Sequence, residues 1–201
     1  MGLRDWLPMG QRKERKPPGQ HLVTTFPVLH AGPVPAFDAA TWRFKTVGLV
    51  EQEQTYTHAE LTSGSVFPVS TVKADFHCVT SWSKLDNVWE GVAFSDLMKQ
   101  VGVLRQARYV MAHCTYGYTT NLPLADLNRD DVLLAWRHNG ADLDPEHGYP
   151  LRLVVPHLYG WKSAKWLVAL EFMAEDAGGY WEQRGYHMYG DPWREQRYSW
   201  S

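Results

Sequence analysis

Residues 71–102 constrain the fold more than any other part of the chain. Val72, Ala74, Phe76 and Cys78 alternate with Thr71, Lys73, Asp75 and His77, the period of a strand with one apolar side. Phe94, Leu97, Met98 and Val101 then recur at helical spacing as one apolar stripe, with Ser95 placed to cap the start and Gly102 to end it. The segment between, from Val79-Thr80-Ser81-Trp82-Ser83 through Trp89-Glu90-Gly91-Val92, reads as a polar, Trp-containing loop. The expected order is strand, cysteine, loop, helix. It puts Cys78 at the end of a rigid element, where a thiol can be aimed into a pocket.

The remaining chain is rich in short β-type runs. Residues 42–50, 66–78, 107–114, 132–137, 150–156 and 166–172 carry strand character, and 57–61 and 123–128 read as short helices. Asn139-Gly140 is the strongest turn signal and predicts a type I′ hairpin. Residues 21–35 combine apolar side chains with Pro27, Gly32, Pro33 and Pro35, so they are expected to cross a surface built by other elements. The tail from Gly178 onward mixes rings with helix and strand breakers and is expected to be ordered by ring packing. Many strands, few helices, no βαβ rhythm and no repeat give an α+β class with mixed β-sheets and few short helices. Residues 1–20 read as a flexible leader containing the basic run Arg12-Lys13-Glu14-Arg15-Lys16, expected to be a solvated tail, and residues 21–201 as a single domain.

A net charge of −2 leaves no basic footprint for nucleic acid, and no apolar run is long enough to span a membrane. The basic run is followed by no apolar segment and lacks adjacent arginines, so neither a secretory nor a twin-arginine signal is expected, and the chain is expected in the cytoplasm. There Cys78 and Cys114 stay reduced. No CxxC, no HExxH and no His/Cys cluster at zinc spacing is present. A lone cysteine can still complete the coordination of a metal whose other ligands come from a cofactor.

The second chemically loaded stretch is His147-Gly148-Tyr149-Pro150-Leu151-Arg152-Leu153-Val154-Val155-Pro156, followed by Tyr159-Gly160-Trp161-Lys162-Ser163-Ala164-Lys165-Trp166. An arginine on a strand offers a bidentate fork to a phosphate. Lys162, Ser163 and Lys165 in a glycine-containing turn add point charges, a hydroxyl and backbone N–H groups. The same residues also fit a salt-bridged strand and a solvated turn.

Together the Cys-Val-x-x-Trp-Ser motif, the Trp-x-Gly-Val motif and the Gly-x-Pro-x-Arg to Tyr-Gly-x-Lys-x-x-Lys block resemble the molybdenum-cofactor domain of the sulfite oxidase superfamily, most of all the branch of the periplasmic methionine-sulfoxide reductase catalytic subunit and sulfite-oxidase-like bacterial oxidoreductases. The resemblance covers residues 17–200. It implies a molybdopterin oxidoreductase with Cys78 as the protein ligand of molybdenum, cycling between Mo(VI) and Mo(IV), and molybdenum–molybdopterin (Mo-MPT) as cofactor. Arg152, Ser163, Ala164 and Lys165, with Lys162, are implied to contact the pterin. His147 stands where relatives carry Asn, and His30 matches a histidine lying over the cofactor. Either the Cys114 backbone or the Thr115 hydroxyl is implied to touch it. Trp82 belongs to the same expected site, and Tyr118 either lines the substrate side or is structural. The sulfite oxidase Gly-Asn-Arg-Arg after the cysteine is replaced by Val79-Thr80-Ser81-Trp82, so the cationic pocket a sulfite dianion needs is not visible. A neutral S-oxide or N-oxide small-molecule substrate is therefore expected, with an electron-transfer partner of unknown identity. The alternatives are sulfite oxidation at the same centre and a non-catalytic molybdopterin carrier.

Overall fold

The computed structural model describes residues 15–201. Among the described residues, eleven strands build two mixed sheets. In the first sheet β4 (Val69–His77) and β5 (Trp82–Ala93) form a hairpin. β5 also pairs with β8 (Leu133–His138) and, in parallel, with β1 (His21–Leu22). β8 carries β10 (Arg152–Val154) on its other side and the short β9 (Ala141–Asp142). The second sheet runs β3 (Gln54–Tyr56), β2 (Phe44–Gly48), β11 (Leu167–Met173), β6 (Tyr109–Cys114), β7 (Thr119–Pro123), with β2 and β11 parallel. The α-helices among the described residues are α1 (His58–Thr62), α2 (Phe94–Val101) and α3 (Leu124–Leu127).

The apolar runs explain how the sheets stack. In β8 and β10, Leu134 and Leu153 point into a large core shared with Val110 and Leu170 of the second sheet, while Leu133, Ala135 and Val154 point to a smaller cluster with Phe76, Trp82 and Trp89. The first sheet is thus buried on both faces, which is why these strands read as continuous apolar runs and not as alternation. Val23, Phe26 and Tyr149 cover the smaller cluster, so residues 21–35 cross a surface made by others, as the sequence suggests. Asn139 (φ 52°) and Gly140 (φ 83°) form the left-handed pair of a I′ turn.

Two local expectations are corrected. The expected loop after Cys78 is a tight turn followed by the twelve-residue strand β5. Cys78 N–H donates to the Trp82 carbonyl at 2.8 Å and Ser81 (φ 70°) closes the turn. Polar residues disguise this strand because they are satisfied internally: Lys84 Nζ donates to Asn87 Oδ1 at 2.7 Å, and His77 Nδ1 and Ser83 Oγ lie 2.9 Å apart. Ser95 is also not a cap. The helix starts two residues earlier than a Ser95 cap implies, Ala93 is the N-cap without a side-chain bond, and Phe94 N–H donates to the Val132 carbonyl. Gly102 ends α2 in the left-handed conformation as expected (φ 62°).

Residues 1–14 of the expected leader lie outside the described residues. Arg15, from the basic run expected to be solvated, instead bridges Asp75 and Asp86 at the β4–β5 bulge, and Gln20 is buried, donating to the Cys78 carbonyl at 3.1 Å.

Candidate active site

A cleft of about 270 Å³ opens where the end of β4, the start of β10 and the turn before β11 meet under the 26–31 strap. Cys78, Trp82, His30, Tyr118, His147, Arg152, Ser163, Ala164 and Lys165 all line it. The cysteine terminates β4, with Sγ 3.2 Å from Thr80 Oγ1, and burial raises its pKa against the opposing pull of Thr80, Lys165 and Arg197. His77, beside it, is held neutral by burial, which lowers its pKa to about 4.

Arg152 gives the site its charge. It is 1 % exposed, and its guanidinium lies 5.2 Å from the Trp89 ring and 5.4 Å from the Phe76 ring. It donates to the carbonyls of His147 (2.8 Å) and Ser163 (3.0 Å). Burial lowers its pKa to about 9, so it remains a cation at neutral pH. Lys165 donates to the carbonyls of Leu29 (2.8 Å) and Glu146 (2.7 Å), and burial followed by the Arg152 charge lowers its pKa to about 7. Among the described residues neither cation forms an ion pair. Two largely desolvated cations compensated by carbonyls and ring faces, with no carboxylate among the described residues, favour binding of an anion.

The aligned loop residues play different parts. The Ser163 hydroxyl accepts from Val155 N–H at 2.9 Å and so fixes the turn against β10. His147 stacks on Phe26 (4.6 Å between centroids) with Nε2 3.1 Å from the Phe26 carbonyl oxygen, pinning the strap. His30 lies at the rim, its Nδ1 2.8 Å from the Gly32 carbonyl oxygen. Tyr118 donates to the Trp161 carbonyl at 2.7 Å, and burial holds its phenol protonated well beyond the usual range.

Three expected residues lie elsewhere. Cys114 follows Val110 and Ala112 onto the core face of β6 and is 4 % exposed, and burial pushes its thiol pKa up. Thr115 bonds the Trp166 carbonyl through its N–H at 3.0 Å and does not line the cleft. Lys162 turns the other way from Lys165, into a closed polar pocket. Its ammonium contacts Glu182 at 2.6 Å and donates to the Asn121 carbonyl, Asn121 Oδ1 and the Met188 carbonyl.

Phe26, Phe76, Trp161, Trp181 and Tyr186 also line the cleft and were not singled out in the sequence. Only the aromatic density of the tail hinted at the last two.

A family profile described as the oxidoreductase molybdopterin binding domain matches residues 31–181. The chain belongs to this family. Similar curated proteins include the "Uncharacterized oxidoreductase YuiH" of Bacillus subtilis (49% identical, over 92% of this chain and 93% of that one). A "Putative protein-methionine-sulfoxide reductase subunit YedZ1" of Azospira oryzae is 31% identical over 76% of this chain and 57% of its own length. Arabidopsis thaliana sulfite oxidase is 28% identical over 92% of this chain and 58% of its own length. In fold, the sulfane dehydrogenase SoxCD of Paracoccus pantotrophus superposes with a TM-score of 0.63 at 23% identity, over 86% of this chain and 54% of that chain. The chain thus spans nearly all of YuiH but little more than half of the other three. It is a molybdopterin-binding oxidoreductase with the mixed-sheet fold of the sulfite oxidase type.

Proposed function

We propose that this protein is a Mo-MPT oxidoreductase that moves an oxygen atom to or from an uncharged S-oxide or N-oxide, with Cys78 as the protein ligand of the metal. The observation that carries the reading is the composition of the cleft: one cysteine thiol and two cations that have no carboxylate partner among the described residues, set in a wall of aromatic rings that includes Trp82. These fit a flat ligand that is anionic at one end and metal-bearing at the other. Among the described residues no group of three His, Cys, Asp or Glu side chains could hold a metal, so the chain's own contribution reduces to the thiolate.

When bound, Mo-MPT supplies a two-electron redox centre competent in oxygen-atom transfer. Arg152 and Lys165 would hold the pterin phosphate, Arg152 through its fork and Lys165 as a point charge. The Trp82 ring and the Ala164 backbone would give the pterin a close wall. His147 and Phe26 close the strap over it and exclude water. The Cys78 thiol must give up its proton to bind a metal, a loss that Lys165 and Arg197 favour and burial opposes. No helix of the described residues is long and apolar enough to cross a membrane. We assign electron delivery to a separate redox partner.

The test is to purify the protein from a molybdate-fed host beside Cys78→Ser and to measure molybdenum and released pterin. The expected result is about one molybdenum per chain in the wild type, lost in the serine variant with pterin largely retained, and dye-coupled reduction of S-oxides exceeding sulfite oxidation. Neither metal nor pterin in protein from a competent host would overturn the reading.

A further inference from the structure

One end of the cleft is aromatic. Trp161, Trp181 and Tyr186 wall it. The Trp181 and Tyr186 rings stack at 4.9 Å (20° between planes), and Trp161 meets Tyr186 edge-on at 5.1 Å (81°). The two planes form a corner. A flat group seated there can stack on one ring and meet the edge of the other, the two geometries that aromatic groups prefer.

This corner is rigid. Tyr186 N–H donates to the Trp181 carbonyl at 3.0 Å, Tyr186 pairs with Tyr198 as an antiparallel bridge, and the Tyr198 ring packs on it edge-on at 5.5 Å. Gly190 lets the tail pass over Trp161, where a Cβ would lie 2.7 Å from the indole. Trp161 Nε1–H donates to Glu182 Oε1 at 2.8 Å, which fixes the plane of its ring.

Among the described residues that line the cleft, Arg152 and Lys165 are the cations; Arg197, whose charge reaches Cys78, does not line it and is tied to the Val79 carbonyl over the Tyr159 ring. Arg152 is held among Phe26, Phe76 and Trp89 and by the carbonyls of His147 and Ser163, and Lys165 is tied to Leu29 and Glu146. Two tyrosine hydroxyls border the space. Tyr118 is committed to the Trp161 carbonyl. No hydrogen bond among the described residues engages the Tyr186 hydroxyl, and Tyr186 lines the same cleft as Cys78. It is thus an uncommitted hydroxyl in the wall of the cleft that holds the metal-ligand position.

We infer that the corner of Trp161, Trp181 and Tyr186 is the substrate subsite, and that it takes an uncharged S-oxide or N-oxide bearing an aromatic or other flat apolar group, its oxygen accepting a hydrogen bond from the Tyr186 hydroxyl. This inference rests on the oxygen-transfer reading above. It assigns Tyr186, and not Tyr118, as the substrate's hydroxyl partner, and Trp181 as a specificity-determining residue.

The experiment uses oxidised holoprotein and two non-reducible stand-ins, methyl phenyl sulfone and dimethyl sulfone, with affinity measured by calorimetry. Turnover of the matching sulfoxides is measured in parallel. The variants are Tyr186→Phe and Trp181→Leu, which keeps apolar bulk in the wall, each accepted after molybdenum content and circular dichroism match the wild type. The wild type is expected to prefer the phenyl compound by about tenfold, a preference that Trp181→Leu reduces to about twofold. Tyr186→Phe is expected to weaken both sulfones by about fivefold while preserving the preference. Absence of binding, equal binding of the two sulfones by the wild type, or wild-type behaviour of both variants would overturn the inference. Sulfone binding in the expected pattern without sulfoxide turnover would overturn the oxygen-transfer reading and leave the subsite standing. Sulfoxide turnover without the pattern would do the reverse.

Discussion

Lys162 and Glu182 form an ion pair whose two side chains are fully buried, with Nζ 2.6 Å from Oε1. Glu182 Oε1 also receives Trp161 Nε1–H and the Thr120 hydroxyl, each at 2.8 Å, while Oε2 is buried without a partner. Lys162→Met removes the cation and strands this carboxylate, and the carbonyls of Asn121 and Met188 lose their donor. Breaking a buried pair by removing one member costs about 3–5 kcal/mol. For a domain of this size each kcal/mol shifts Tm by about 2–4 °C, so the expected fall is about 6–20 °C. Glu182→Gln should cost a similar amount, because it strands the ammonium while an amide oxygen can still accept from Trp161 and Thr120. The double variant should be less destabilised than the sum of the two singles by about 2 kcal/mol, the coupling expected of groups in direct contact. Urea unfolding followed by circular dichroism, together with calorimetric Tm, measures all three. A fall in Tm below about 3 °C for Lys162→Met, or additivity in the cycle, would refute the view that this pair pins the tail to the turn before β11.

Arg152→Met should abolish pterin retention. In cofactor-free protein, millimolar inorganic phosphate should raise the wild-type Tm by about 3–6 °C and leave the variant unmoved; an equal rise in both would remove Arg152 from the anion site. His138 packs on the Trp89 ring at 4.4 Å, and burial, aided by Lys84 and Arg152 and opposed by Asp144, lowers its pKa to about 3. The unfolded chain takes up this proton near pH 6.5 and the folded one does not, so its contribution is complete above pH 6.5 and is lost as pH falls toward 3. After discounting for partial exposure, His138→Asn should shrink the stability difference between pH 7 and pH 4 by about 1–2 kcal/mol in urea titrations, and an unchanged difference would exclude it. Gly91→Ala should destabilise by about 3 kcal/mol or more, since its Cβ would lie 2.1 Å from the Leu134 carbonyl oxygen across the β5–β8 pair; soluble yield and Tm report it.

Part of the site was legible because local patterning and chemistry coincided. Cys78 ends a period-2 run, Arg152 opens a continuous apolar run, and Lys165 sits in a breaker-rich turn, so each could be placed on an element and given a chemical role. The loop expected after Cys78 was misread for a physical reason. In β5 the polar side chains of Ser83, Lys84 and Asn87 satisfy one another inside the sheet, which no linear pattern of apolar residues can reveal. Val110, Ala112 and Cys114 share one side of β6, so the period of the strand alone already turns the Cys114 side chain to the core.

The sequence by itself determined the family, the class of mixed sheets with few helices, the thiol, and the cations that surround the cleft, because these depend on residue type and short-range period. Only the tertiary structure decided which of two lysines three residues apart faces the cleft and which is locked to Glu182, and which tyrosine keeps a free hydroxyl. It also brought Trp181 and Tyr186 to the wall opposite a cysteine about a hundred positions earlier. The direction of a side chain in an irregular turn is set by the partners it meets across the fold, and those partners are far away along the chain.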